Sequence, residues 1–312
     1  MSYPTVSLPQ GAKLAYNVFG SKHVGRAKPM VLVGGMSSLR GDWERLSTAL
    51  ATNRPVLVFD HRGMGDSKYS NEDGNDDITI ESMARDLLFL INSLGWRDLA
   101  ICGFSMGGMI AQQLLLLPYH RSEPTPLPFC VSHVILAATM ASPIRDRRYG
   151  LRFGKRPDGP LTEDQKKELI RPVVESTFDP VWLRNNDHRA QWWLTISASG
   201  RPLRTIMKQG AAIMQVDFGS LHINLPRDTQ VLSIHGKLDQ IVPDSYRQEI
   251  MQYFPHARVV EIGDRPGQIP NDQFGHHWWE YFDIQVWKAV VDNFLEDKAV
   301  VHLSPSPNRS YL

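Results

Sequence analysis

The sequence predicts an α/β protein: a doubly wound, mostly parallel sheet with an inserted all-helical cap. Three observations predict it. Short apolar runs rich in β-branched residues recur at residues 30–33, 56–59, 99–102, 131–138 and 231–234, each followed by turn residues. Continuous runs of this kind suit strands buried on both faces of a parallel sheet. Helical patterns separate them, which implies right-handed crossovers. From about residue 143 to residue 225 the alternation stops and the pattern is helical throughout.

Each helix has its own signal. Residues 80–94 place Ile80, Met83, Ala84, Leu87, Leu88, Ile91 and Leu94 on one stripe at helical spacing. Residues 106–117, 244–254 and 278–295 are predicted helices by the same pattern. In the insert, Thr162-x-x-Gln165 reads as a capping box, and Asp179-Pro180 as an N-cap followed by proline at the first helical position. Residues 187–199 and 202–216 follow as further helices. Strand sequence resumes at 229–235, so the expected organisation is a core of 1–140 and 226–297 interrupted by a cap at 141–225. A polar, proline-containing tail at 298–312 is expected to fray.

Composition narrows the function classes. Across 312 residues, 34 Lys and Arg face 33 Asp and Glu for a net charge of +1, with no basic face or acidic tail. That balance excludes nucleic acid and anionic membrane as expected partners. No run approaches the ~20 apolar residues of a spanning helix, and the opening MSYPTVSLPQG lacks the pattern of a secretory signal. A soluble, cytoplasmic protein is expected. Cys102 and Cys130 both flank apolar runs and are expected to be buried thiols in a reducing compartment. The sequence does not specify an oligomeric state.

The most informative stretch is Gly103-Phe104-Ser105-Met106-Gly107, a G-x-S-x-G between a predicted strand and a predicted helix. A serine hydroxyl is a weak nucleophile at neutral pH, so attack on a carbonyl needs a base in reach and donors for the developing oxyanion. A sharp turn at Ser105 would lift its side chain above the sheet. Side chains two residues before and after it would collide, which accounts for Gly103 and Gly107. The Met106 N–H would then lie at a helix N-terminus, aimed at negative charge.

Four other stretches stand around this turn: Val31-Leu32-Val33-Gly34-Gly35-Met36, Phe59-Asp60-His61-Arg62-Gly63-Met64-Gly65-Asp66-Ser67, His235-Gly236-Lys237-Leu238-Asp239-Gln240-Ile241-Val242-Pro243, and Phe274-Gly275-His276-His277-Trp278-Trp279-Glu280. The first has no Gly-Lys-Ser/Thr, which argues against a nucleotide phosphate loop. Together with the serine turn, in this order, they resemble the α/β-hydrolase superfamily over residues 12–296.

The resemblance implies a catalytic triad in the order Ser105, Asp239, His276, with the backbone N–H groups of Met36 and Met106 as oxyanion donors. The family carries a histidine where Gly34 stands, a change that leaves the Met36 backbone donor in place. Asp60, His61 and Arg62 are expected to order loops near the site. Asp264 and Asp272 are rivals for the acid, and His277 for the base. Adjacent histidines also raise metal binding, but no HExxH or matching cysteine set accompanies them, so no metal or organic cofactor is expected.

The insert is expected to shape the pocket, with one or two of Trp182, Trp192, Trp193, Met207 and Met214 touching substrate and the rest packing the cap. The expected function is hydrolysis of a small to medium hydrophobic carboxylic ester, lactone or thioester through an acyl-enzyme. C–C bond hydrolysis of a diketone and a non-catalytic small-molecule receptor are the alternatives. Serine at 105 argues against the carboxylate nucleophile of epoxide hydrolases and haloalkane dehalogenases.

Overall fold

The computed structural model describes residues 3–120, 122–152, 159, 161–225 and 228–296. Their strands are β1 (Thr5–Ser7), β2 (Lys13–Phe19), β3 (Met30–Val33), β4 (Val56–Phe59), β5 (Asp98–Phe104), β6 (Cys130–Ala137), β7 (Gln230–Ile234) and β8 (Arg258–Val259). They form one sheet in the order β1-β2-β4-β3-β5-β6-β7-β8. The β1–β2 and β2–β4 pairs are antiparallel and every later pair is parallel. The tail at 298–312 lies outside the described residues.

The apolar runs form strands because alternate side chains satisfy two cores at once. Val31, Val33, Leu57, Leu99 and Ile101 enter one cluster, and Met30, Leu32, Val56, Val58, Ala100 and Cys102 the other. Helices cover both faces. After β3 comes α1 (Glu44–Leu50), after β4 α2 (Ile80–Ser93), and after β5 α3 (Met106–Leu116). Between β6 and β7 lie α4 (Glu163–Ser176), α5 (Pro180–Asn185), α6 (Asp187–Ser197) and α7 (Leu203–Gln215), the helical insert. The chain closes with α8 (Ser245–Tyr253) and α9 (Ile284–Glu296). Residues of α2, α3 and α8 pack the first cluster, and those of α1 and α9 the second.

The insert's helix starts match their sequence signals. Thr162 Oγ1 accepts from the Gln165 N–H at 3.2 Å while Gln165 Oε1 accepts from the Thr162 N–H at 2.9 Å, a reciprocal capping box. Asp179 Oδ1 accepts from the Val181 and Trp182 N–H groups at 2.8 and 3.0 Å, with Pro180 opening α5.

Two expectations need correction. The helix expected over 278–295 begins only at Ile284: Trp278–Glu280 make a 3-10 turn and Phe282 adopts a φ of 64°, which no helix continues through. Cys102 is buried within β5, but Cys130 is exposed, because it is the first residue of β6 and sits outside the core that covers the rest of that strand. Among the described residues, no helix is long and apolar enough to cross a membrane.

Candidate active site

The end of β5 and the start of α3 leave a single residue, Ser105, to make the turn. Its φ of 55° and ψ of −125° are an unusual conformation for a residue with a side chain. Local bonds hold it there. The Ser105 N–H donates to the Ala137 carbonyl at 3.0 Å, and its own carbonyl accepts from Thr139 Oγ1 at 2.6 Å and from the Gly108 N–H at 2.9 Å.

The surrounding glycines are demanded by space. A Cβ on Gly103 would lie 2.6 Å from the Gly107 carbonyl oxygen, and one on Gly107 only 2.1 Å from that of Val33. On the facing loop, a Cβ on Gly35 would lie 2.9 Å from Ser105 Cβ. The loop after β3 therefore approaches the serine as closely as backbone allows.

The loop after β7 and the loop before α9 run against each other. The Lys237 N–H donates to the Asp272 carbonyl at 2.9 Å and the Leu238 N–H to that of Phe274 at 3.1 Å. Gly236 makes this approach possible, since a Cβ there would sit 1.9 Å from the Phe274 oxygen. The pairing delivers Asp239 to His276. Asp239 Oδ1 accepts from the Ile241 and Val242 N–H groups at 2.8 and 2.9 Å, and Oδ2 lies 2.8 Å from His276 Nδ1. Both side chains are almost fully buried. The insert contributes as well, because the His276 N–H donates to the Thr177 carbonyl at 3.1 Å.

The rival residues have their own surroundings, and His277 lines the same cavity as His276. Asp272 pairs with Lys237 at 2.8 Å, and Asp264 is exposed. His277 stacks on Trp193 with ring centroids 4.4 Å apart and 12° between planes, and its Nδ1 has no partner among the described residues. Burial first, then the neighbouring His276, Arg201 and Arg189, hold the His277 pKa well below the ordinary histidine value. The two imidazole rings lie 6.1 Å apart, centroid to centroid, with 52° between their planes, and both pack against Phe104.

Ser105 and His276 open onto one cavity of about 500 Å³, whose wall is mainly apolar and includes Met36 and Phe104. Met36 follows Gly35 in the loop facing the serine. Met106 is the first residue of α3, so its N–H has no carbonyl one turn earlier within the helix. Of the insert side chains named from sequence, Trp193 and Met214 line the cavity. Trp182 stacks on Phe178 at 4.0 Å, Trp192 lies under the Arg189 guanidinium at 3.7 Å, and Met207 is exposed.

Sequence reasoning missed the brace on the Met36 loop. Ser37 has a φ of 67°, its N–H donates to Gln209 Oε1 at 2.9 Å, and its carbonyl accepts from Arg201 Nη1. Arg201 also grips Asp42 through both terminal nitrogens, at 3.0 and 2.7 Å. Gln209 is fully buried on α7. Four residues from two distant parts of the chain form this brace, and no local spacing announces it.

Asp60, His61 and Arg62 order loops. Asp60 accepts from the Arg40 and Asp66 N–H groups at 2.8 and 3.1 Å, and Arg62 bridges Asp76 and Asp86. His61 Nε2 donates to the Gly34 carbonyl at 2.9 Å, and burial pushes its pKa down to about 4. Gly34 itself has no room for a side chain, since a Cβ would lie 2.7 Å from Ser38 Cβ.

A strained serine between strand and helix that shares a cavity with a histidine–carboxylate pair and with residues of a helical insert is an arrangement found in one large group of proteins. Residues 28–266 match the family described as alpha/beta hydrolase fold, and the chain belongs to that family. Among curated relatives, a putative carbamate hydrolase RutD of Pseudomonas savastanoi pv. phaseolicola is 34% identical over 248 residues, covering 77% of this chain and 87% of the relative. Among solved structures, the esterase EaEST from Exiguobacterium antarcticum superposes with a TM-score of 0.68 at 20% identity, over 95% of this chain and 100% of its own. The enol-lactonase from Burkholderia xenovorans gives 0.67 at 20% identity, over 94% and 100%. These two likenesses describe the fold.

Proposed function

We propose that the chain is a serine hydrolase that cleaves small to medium hydrophobic carboxylic esters, lactones or thioesters through an acyl-enzyme. One observation carries the reading: His276, bonded to Asp239, lines the same apolar cavity as a serine presented on a strained turn. In this mechanism His276 Nε2 takes the Ser105 proton as Oγ attacks the acyl carbon. Asp239 keeps the remaining ring proton on Nδ1 and stabilises the imidazolium. Negative charge on the tetrahedral oxygen is held by the Met36 and Met106 N–H groups. His276 then protonates the leaving group, and the same imidazole activates the water that releases the acid. The chemistry needs no metal or cofactor.

In this reading residues 1–140 and 226–297 form the catalytic core, and the insert at 141–225 is a cap that sets acyl shape through side chains such as Trp193 and Met214. A cytoplasmic location belongs to the same reading and is supported by the unpaired thiols of Cys102 and Cys130. The RutD relatives are named for carbamates, which are also acyl compounds, so a carbamate belongs in the substrate panel.

The test is hydrolysis of short- and medium-chain p-nitrophenyl esters, a lactone, a thioester and a carbamate by the wild type and by Ser105→Ala, His276→Ala and His277→Ala. The expected result is ester turnover that falls by ~10³-fold or more in Ser105→Ala and His276→Ala. His277→Ala should lose far less. Full activity in Ser105→Ala, or no turnover of any acyl compound by the wild type, would overturn the proposal.

A further inference from the structure

The cavity wall carries a charge imbalance that hydrolysis of a neutral ester does not use. Five side chains that are formally charged and not histidine line it: Arg145, Asp146 and Arg147 from the segment after β6, Asp42 from the 3-10 turn before α1, and Arg201 from the insert. The carboxylates are taken. Asp42 is gripped by Arg201, and Asp146 by Arg148 through Nε and Nη2 at 2.6 to 3.1 Å. His277, also on the wall, is kept neutral by burial. Arg145 and Arg147 have no carboxylate partner among the described residues and are exposed, whereas Ser105 and His276 are buried. The arginines therefore stand at the mouth of the cavity and the serine on its floor. The same cavity is also lined by the apolar side chains of Met140, Ile144, Val173 and Ile213.

We infer that Arg145 and Arg147 form an anion-binding rim, and that the preferred substrate is an acyl compound with an apolar body and a carboxylate or phosphate at the end remote from the scissile bond. The inference rests on the hydrolase reading for its orientation. Guanidinium groups suit this role because their planar donors match carboxylate and phosphate oxygens in pairs. Two of them near an apolar cavity also raise the local concentration of an anionic, partly hydrophobic molecule. A neutral ester of the same length would fill the wall and leave the rim unused.

The experiment compares kcat/KM for p-nitrophenyl hexanoate with that for the mono-p-nitrophenyl esters of adipic acid and of ω-phosphonohexanoic acid, in the wild type and in Arg145→Gln/Arg147→Gln. Exposed charge pairs are each worth little, so a preference of about fivefold for an anionic ester is expected, shrinking with added salt and collapsing toward unity in the double variant. The two anionic arms show whether carboxylate or phosphate is favoured. A wild-type ratio near unity, or a ratio that survives in the double variant, would overturn the inference. A second readout does not depend on turnover: calorimetric binding of monoethyl adipate and ethyl hexanoate to Ser105→Ala, with and without the arginine substitutions. Loss of ester hydrolysis with the binding preference intact would sink the hydrolase reading alone. Hydrolysis without any anionic preference would sink this inference alone.

Discussion

Asp239 Oδ2 lies 2.8 Å from His276 Nδ1, across 37 residues of sequence, while Asp239 Oδ1 is tied to two backbone N–H groups. The two oxygens divide two jobs, one holding the imidazole and one holding the loop. Asp239→Asn separates them. The amide oxygen can keep the Ile241 and Val242 bonds, but its NH₂ then faces His276 Nδ1 and selects the wrong tautomer. The expected outcome is a kcat lower by ~10³–10⁴-fold with little change in thermal midpoint, read from ester kinetics and a melting curve. Loss of folding instead of activity would show that the carboxylate is mainly a loop anchor.

Gln209 should act at a distance through Ser37. Gln209→Met keeps the bulk of the side chain but removes the acceptor for the Ser37 N–H, leaving Arg201 alone to hold the strained residue that follows Met36. A displaced donor weakens transition-state binding more than substrate binding. The expected result is a kcat reduced about tenfold or more with KM within about threefold. An unchanged kcat, or a loss confined to KM, would count against the brace.

Gly107→Ala tests the packing of the serine turn. The new methyl would lie 2.1 Å from the Val33 oxygen and 2.7 Å from that of Gly34, both backbone atoms with nowhere to move. A cost of at least ~2 kcal/mol is expected in denaturant unfolding. Gly41→Ala is the control, because nothing lies within 4 Å of the added carbon. Equal stability of the two variants would show that β3 yields easily.

The buried histidines predict loss of stability in acid. Burial lowers His61 from 6.5 to about 4, and His133 and His222 are lowered to about 4 as well, His133 also by the nearby Lys28. The unfolded chain binds protons at higher pH than the native one, so this stability is complete above pH 6.5 and is lost as pH falls toward 4. For His61 the shift corresponds to roughly 3 kcal/mol. His61→Gln, which retains a donor for the Gly34 carbonyl, should flatten the fall of the urea midpoint between these values. Matching pH profiles for variant and wild type would refute this assignment.

The parts of the fold legible in the sequence are those where chemistry is compressed into contiguous residues. The runs at 30–33 and 56–59 coincide with β3 and β4 because both of their faces are buried. The glycines at 103 and 107 are readable because a sharp turn excludes side chains at those positions. The strand β2 escaped notice because it is only partly buried and lacks a continuous apolar run. The late start of α9 was hidden because Phe282, not glycine or proline, takes the positive φ. The Arg201–Asp42 and Gln209–Ser37 bonds join residues 159 and 172 positions apart, and only the folded chain brings them together.

The most direct measurement of the central claim is peptide mass mapping after exposure to a fluorophosphonate, which reacts with an activated serine hydroxyl. A single phosphonyl adduct on the peptide containing Ser105, absent in His276→Ala, is the expected result. A wild-type protein that stays unlabelled at Ser105 while another serine takes the adduct would contradict it.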